Sequence, residues 1–300
     1  MNSDALIELV ATHLSLELYC HVLVDPIAVP DNSEDSLITH LAPLGESALI
    51  RVYRDDLPHA PQLHPLLATL ASPGTSPSHS LLALSARAAQ RDIHRHNRHV
   101  CGWILSKEPA PVIAKHLAAL CRLPTNTSNT VFQPIYQPIR LELLAATFER
   151  VESGPWWPIK HWIFQTSGAK LAAVKGEPGA RTALPAPALR LQSDVALIQR
   201  FLSLWQALRI APSLPPFAAV RASNLIDDAR KVGLSAPQDV LVLAVHYLCI
   251  HPRLHTLPAI RRHIEDAINQ HITLAASFAR YSEADWRHMV TKLPRPEEHA

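Results

Sequence analysis

The chain has 300 residues, of which 48% are hydrophobic and 18% charged, enough to bury one large core or two smaller ones. Its formal net charge of +2 argues against the concentrated basic face that nucleic-acid binding needs. The N-terminus carries Asp4 and Glu8 and lacks the basic start of a signal peptide. The longest apolar run, 240–250, is shorter than the roughly 20 residues that span a bilayer. We therefore expect a cytoplasmic protein that binds neither nucleic acid nor membrane.

Cysteine usage favours a reducing compartment. The four cysteines are Cys20, Cys101, Cys121 and Cys249, and no two have the C-x-x-C spacing of redox and zinc motifs. Three of them lie inside apolar runs, where a free cysteine behaves as a small hydrophobic side chain. We expect buried free thiols.

The first half of the chain alternates extended runs with amphipathic segments. Apolar spacing predicts helices at 6–14, 33–44, 61–71, 81–93, 109–120 and from 138 onward. It predicts strands at 18–24, 48–53, 100–105 and 131–132, and an edge hairpin formed by 161–165 and 170–174. Strands that alternate with helices are typical of an α/β fold. We expect an α/β lobe with a mixed or mostly parallel sheet and flanking helices.

The composition changes near Gly176. Residues 176–190 are rich in proline, glycine and alanine, which predicts a linker. Beyond it only helical patterns occur, including a helix capped by Ser193, a long helix at 258–281 and an S-x-x-D capping box at 282–285. The predicted organisation is an α/β lobe at 1–175, a linker at 176–190, an all-α lobe at 191–292 and a polar tail at 293–300.

Histidine clusters are the strongest candidates for metal chemistry, because P-loop, dinucleotide-binding, nucleophile-elbow and H-E-x-x-H motifs do not occur. His94, His96 and His99 could bind zinc, but interleaved arginines oppose a divalent cation. We expect a solvated basic segment there. His246, His251 and His255 lie at a predicted helix C-terminus, where the helix dipole favours histidine. The sequence therefore predicts no metal, no cofactor and no catalytic residue.

Aromatic and apolar residues near turns are the candidates for partner binding. Trp156 and Trp157 lie in a Gly-Pro-Trp-Trp-Pro turn and could anchor an interface, since aromatic side chains dominate binding hot spots. Core packing or a hinge between lobes is the alternative. Trp205, Leu214 and Phe217, in and between the helices that follow the linker, complete the candidate set.

Several short motifs occur in a suggestive order along residues 18–290. They are Leu23-Val24-Asp25-Pro26, Ala60-Pro61-x-Leu63, Gly102-Trp103-x-x-Ser106, His116-Leu117, Tyr136-Gln137-Pro138, Leu143-Leu144, Gly233-Leu234-x-x-x-x-Gln238-Asp239, His251-Pro252 and Asp285-Trp286. In this order the chain resembles the type VI secretion effector adaptor family (Tap or TEC adaptors), a domain-of-unknown-function group. No single motif is specific, so the resemblance depends on the order of the motifs.

The resemblance implies a non-enzymatic cytoplasmic chaperone of Gram-negative bacteria. Such an adaptor binds a toxic effector and helps load it onto the secretion spike protein, and it combines an α/β lobe with a helical one. The chain departs from the family where an Arg–aromatic–aromatic–acid–Pro step is expected. Pro134 stands at the arginine position and Gln137 at the acid position.

The sequence thus leaves three functional hypotheses open. The first is an adaptor whose partners are an effector toxin and a spike protein. The second is a metal-dependent hydrolase that uses the 94–99 histidine cluster and Asp25, which follows a strand. The third is a scaffolding protein without a role in secretion.

Overall fold

A computed structural model describes residues 3–28, 36–124, 130–148, 154–179 and 183–294. It divides into two compact units. Unit 1 comprises Met1–Ser193 and Pro215–Phe217, and unit 2 comprises Asp194–Leu214 and Ala218–Ala300. Most of the predicted polar tail and part of the predicted linker lie outside the described residues.

Unit 1 is built around a six-stranded sheet with the order β2-β3-β1-β4-β7-β8. The strands of this sheet are β1 (Tyr19–Val24), β2 (Leu49–Arg51), β3 (Leu66–Ala71), β4 (Val100–Ser106), β7 (Ile159–Gln165) and β8 (Leu171–Lys175). A second sheet pairs β5 (Arg122–Pro124) with β6 (Thr130–Phe132). Every pairing in both sheets is antiparallel.

The expected mixed or mostly parallel sheet was therefore wrong, and the error began at 61–71. This segment was predicted to be a helix, but it forms a short 3-10 turn (Pro61–Leu63) followed by β3. Leucines at 63, 66, 67 and 70 fit a helical face, yet β3 lies between two strands and is buried along most of its length. A strand covered on both faces has no polar alternation to reveal it.

Helices cover both faces of the sheet. They are α1 (Ser3–His13), α2 (Leu37–Leu41), α3 (His79–Arg91), α4 (Ala110–Leu120), α5 (Pro138–Phe148) and α6 (Ala186–Ser193). On one face Leu6, Leu41 and Leu82 pack with Trp103 of β4. On the other face helices α4 and α5 pack against Trp162 of β7 and neighbouring strand residues. All seven residues of β4 are buried, so this strand is the centre of the unit.

The described elements of unit 2 are all helices. They are α7 (Val195–Ala207), α8 (Ala218–Lys231), α9 (Pro237–Cys249), α10 (Pro258–Ile268), α11 (Leu274–Phe278) and α12 (Glu283–Val290), with a 3-10 turn before α10. The capping box at Ser282 and Asp285 is confirmed. The single helix predicted at 258–281 is wrong: the backbone turns left-handed at Gln270, with φ of 59°, and Thr273 caps a new helix.

The expected helix cap at Ser193 is also wrong, because Ser193 ends α6 and α7 begins after Asp194. Residues 186–190, inside the expected linker, are helical, and Ala188 is part of the core of unit 1. No helix in the described ranges is long and apolar enough to cross a membrane.

Candidate functional site

A concave site lies where β4, β7 and β8 meet the Trp156-Trp157 turn of unit 1. Its cavity has a volume of about 630 Å³, and its lining residues are Lys107, Trp157, Pro158, Lys160, Lys175, Gly176, Glu177 and Pro178. We call it the Trp157 pocket. It combines one aromatic ring and two prolines with three lysines and one glutamate, which suits a ligand that is both apolar and anionic.

The turn places its two tryptophans in opposite environments. Trp156 is buried and packs edge-to-face on Phe148 and Trp162, with ring centroids 6.1 and 6.2 Å apart. These contacts anchor the turn to the core. Trp157, the next residue, keeps 41% of its surface exposed. Because Trp156 fixes the backbone of the turn, a partner that packs on Trp157 orders little additional backbone.

Strand ends hold the rest of the pocket in place. The Ser106 hydroxyl, at the end of β4, donates to the Pro158 carbonyl at 2.8 Å and accepts from the Glu108 amide at 2.9 Å. Gly176 donates from its amide to the Lys160 carbonyl at 3.3 Å. A Cβ on Gly176 would collide with the Ile159 carbonyl, so glycine permits this close approach.

The pocket has a positive electrostatic field. Lys107 forms an ion pair with Glu17 at 2.5 Å, and Lys175 lies 3.4 Å from Glu177. Among the described residues Lys160 has no carboxylate within ion-pair distance. The hydrogen bond and charge of Lys107 lower the pKa of Glu17, and Lys160 lowers it further.

The pocket lysines also act on the neighbouring His161. Burial lowers the pKa of His161 to about 4, and the charges of His13, Lys160 and Lys175 add to this shift. The His161 ring stacks on His13 with centroids 4.4 Å apart. A positive field of this kind favours an anionic ligand over a cationic or metal one.

The candidate contact residues do not form one surface. Trp156 is buried in unit 1, whereas Trp157 and Phe217 are 41% and 43% exposed. Pro215, two residues before Phe217, lies against Gly168 beyond the C-terminal end of β7, whereas Trp157 precedes its N-terminal end. Seven strand residues at about 3.3 Å each therefore separate the two exposed rings by roughly 20 Å.

The other two candidates belong to the core of unit 2. Trp205 is 5% exposed, packs on Phe201 with centroids 6.0 Å apart and lies under the Arg221 guanidinium at 5.3 Å. Leu214 is 7% exposed. Neither side chain offers much surface to a partner. Two exposed leucines lie near Trp205 in the sequence: Leu204 in the last turn of α7 and Leu208 just after the helix.

Asp25 belongs to a buried hydrogen-bond network instead of a metal site. Gln137 donates from Nε2 to Asp25 Oδ2 at 2.9 Å, and its Oε1 accepts from the Arg98 amide at 2.9 Å. The Asp25 carbonyl lies 3.0 Å from His99 Nδ1. Burial raises the pKa of the Asp25 carboxyl, although the amides of Ile27 and Gln137 oppose this shift.

The histidine clusters are dispersed. His99 is buried beside Asp25, whereas His94 and His96 are exposed. His251 Nε2 lies 2.9 Å from the Pro294 carbonyl, and His255 Nδ1 lies 2.9 Å from the Tyr247 hydroxyl. Within the described ranges, no group of three or more His, Cys, Asp or Glu side chains is placed to hold a metal ion.

The cysteines are free, and three of them are buried. Burial raises the pKa of Cys20 and of Cys121 to about 12, and that of Cys101 well above its usual value. At neutral pH these three thiols are protonated and are poor nucleophiles.

Sequence reasoning named Trp157 but missed the lysines around it. Lys160 and Lys175 could have been found, because the predicted hairpin at 161–174 brings its two outer ends together, and His161 pairs with Lys175. Lys107 could not, because it enters the pocket through the distant pairing of Ser106 with Ile159.

Comparisons with known proteins add no relative. No protein-family model matches the chain, and searches of curated proteins and of solved structures return no significant match.

Proposed function

We propose that this protein is a non-enzymatic adaptor-chaperone that acts in the cytoplasm, binds a type VI secretion effector and helps load it onto the spike protein. The observation that carries the proposal is the Asp25–Gln137 hydrogen bond of 2.9 Å. It joins two of the motifs on which the resemblance depends, although 112 residues separate them in the chain. Residues of these two motifs thus share one buried hydrogen-bond network.

Other residues of those motifs also have defined structural roles. Ser106 ends the Gly102-Trp103 motif and binds the Pro158 carbonyl, which connects that motif to the Trp157 pocket. Asp239 accepts a hydrogen bond from the Leu274 amide at 2.8 Å inside unit 2. Asp285 completes the capping box of α12. These motif residues thus contribute to the fold of each unit.

Gln137 accounts for one departure from the family pattern. Its amide donates to the Asp25 carboxylate, whereas an acid at this position would place two carboxylates together in a buried site. The family pairs the acid with an arginine, which this chain replaces with Pro134. Losing the arginine and neutralising the acid are therefore compatible changes.

The test is a pull-down of the tagged protein from its native bacterium, with bound proteins quantified by mass spectrometry. The proposal predicts near-equal amounts of a toxin-like effector, together with a spike protein. If the protein is recovered alone, or only with partners unrelated to secretion, the adaptor function is wrong.

A further inference from the structure

Strand β8 forms an open edge of the large sheet. It is the last strand in the sheet order and pairs only with β7 in the described part of the chain. The amide of Thr166 donates to the Lys170 carbonyl at 2.8 Å, and that of Gly176 donates to the Lys160 carbonyl at 3.3 Å. These bonds fix which residues of β8 face β7.

Hydrogen-bonded and non-bonded pairs alternate along an antiparallel ladder. Starting from the Thr166–Lys170 pair, the bonded residues of β8 are Ala172 and Val174. The N–H and C=O groups of Leu171, Ala173 and Lys175 therefore point away from β7. An extended polypeptide can add to such a row of backbone groups as a further strand.

The charges at this edge determine which kind of partner strand would bind there. Lys175 ends β8, while Lys160 and Lys107 line the same end of the sheet in the Trp157 pocket. Lysines on an edge strand oppose pairing with neutral or basic segments, because their charges would be desolvated without compensation. A segment that carries carboxylates would instead be attracted.

We propose that β8 and the Trp157 pocket together bind an extended acidic segment of a partner polypeptide. The segment pairs with the outward backbone groups of Ala173 and Lys175, its carboxylates lie near Lys160 and Lys175, and an apolar side chain packs on Trp157. The identification of this partner with a secretion effector rests on the proposed function. The chemistry of the segment rests only on the edge and the pocket.

A substitution on β8 distinguishes strand addition from non-specific binding. Ala173→Pro removes an outward-facing N–H and leaves the hydrogen bonds to β7 intact, and proline is tolerated on an edge strand in this orientation. Tyr53→Ala is the matched control. Tyr53 is also an aromatic residue, 50% exposed, but it follows β2 at the opposite edge of the same sheet.

The binding probe is a fluorescein-labelled peptide of alternating glutamate and valine, measured by fluorescence anisotropy with the full chain. We expect Ala173→Pro, Trp157→Ala and the double change Lys160→Glu with Lys175→Glu each to weaken binding by at least about tenfold. Tyr53→Ala should stay within about twofold, because surface residues outside the contact change affinity little. Added salt should weaken binding, since the lysines are exposed to solvent.

Four results would overturn the proposal. The first is unchanged peptide binding by an Ala173→Pro variant whose circular dichroism spectrum is native. The second is equal binding of a peptide that carries lysine in place of glutamate, and the third is complete displacement of the peptide by inorganic phosphate. The fourth is a dimer of this chain that Ala173→Pro dissociates. The last would make a second copy the occupant of the edge. If Ala173→Pro does not fold, Trp157→Ala and the lysine variants decide the matter.

The two proposals can fail separately. Peptide binding without a secretion partner in the pull-down would leave the acidic-segment site standing and remove the adaptor function. Recovery of the effector at equal yield by wild type, Trp157→Ala and Ala173→Pro would keep the function and remove the site.

Discussion

Replacing Gln137 with glutamate tests whether the side-chain amide of Gln137 stabilises the buried, ionised carboxylate of Asp25. Gln137 donates to Asp25 Oδ2 at 2.9 Å and accepts from the Arg98 amide at 2.9 Å. Gln137→Glu keeps the shape and the acceptor but exchanges the donor for a second carboxyl group. Both residues are less than 5% exposed, at 3% for Asp25 and 4% for Gln137.

Two buried carboxylates at this distance cannot both be ionised, so one of them must hold a proton at neutral pH. Arg54 lies close enough to lower the pKa of Asp25, but it is already paired with Asp56 at 2.7 Å. His99 does not supply a compensating charge, because burial lowers its pKa. The pKa of the pair is therefore raised above its value in the unfolded chain.

A glutamate has a reference pKa of about 4.3, and each unit of pKa shift corresponds to about 1.4 kcal/mol. Keeping the carboxyl protonated in the folded state thus costs about 4 kcal/mol at pH 7.5 and about 1 kcal/mol at pH 5. The sign follows from the raised pKa: the loss of stability is absent below the unfolded pKa and grows as the pH rises.

The assay is urea denaturation, followed by circular dichroism at pH 5 and pH 7.5. Gln137→Leu is the control: it removes both hydrogen bonds without adding a charge and should lower the free energy of unfolding by about 2–4 kcal/mol at pH 5. Its further loss between pH 5 and pH 7.5 should be smaller than that of Gln137→Glu, because Asp25 loses a donor but gains no neighbouring carboxyl group. The reasoning is refuted if Gln137→Glu loses the same free energy at both pH values, or if it is as stable as wild type at pH 7.5.

Three further predictions concern stability and reactivity. Burial lowers the pKa of His21 to about 4, so the neutral form is favoured on folding and stability should fall as the pH drops below about 6.5. His21 alone accounts for a loss of at most about 3 kcal/mol at pH 4, and His21→Asn should flatten the dependence of the urea midpoint on pH; an unchanged slope would contradict this. A thiol reagent should label the exposed Cys249 rapidly and the other three cysteines only after unfolding. Labelling is followed by mass spectrometry, and rapid modification of a second thiol would contradict the burial of Cys20, Cys101 and Cys121. Gly102 has φ of 143°, and a Cβ there would lie 2.6 Å from the Ile163 carbonyl. Gly102→Ala should therefore lower the free energy of unfolding by about 2–4 kcal/mol, and a loss below 0.5 kcal/mol, on the order of a neutral surface change, would refute the close approach.

Local patterns predicted the elements whose chemistry is local. The apolar run at 100–105 gives β4, and the spaced leucines and alanines after residue 80 give α3. The S-x-x-D box gives the start of α12, because its two hydrogen bonds involve only neighbouring residues. The hairpin of β7 and β8 follows from a short turn between two extended runs.

Pairing between distant strands was not accessible in this way. β1 lies between β3 and β4, and no local pattern specifies which strands flank it. Once 61–71 was interpreted as a helix, the chain seemed to alternate strands with helices, which is the pattern of a parallel sheet. The antiparallel order depends on recognising β3, whose leucines satisfy both helical and buried-strand spacing.

In the candidate site, too, local sequence predicted some features, and distant contacts determine the others. Sequence reasoning selected the Trp156-Trp157 pair but could not tell its members apart, since adjacent residues have the same local composition. Their difference arises from Phe148 and Trp162, which hold Trp156 in the core and leave Trp157 exposed. The third lysine of the pocket, Lys107, reaches it only through the pairing of β4 with β7.

The most direct test of the adaptor function is the secretion of the effector by the native bacterium after deletion of the gene for this protein. The account predicts that the effector recovered in the pull-down disappears from the medium while the tube component of the secretion apparatus is still released. Wild-type protein should restore effector export, and Trp157→Ala should restore it poorly. Unchanged effector export in the deletion strain would contradict the proposed function.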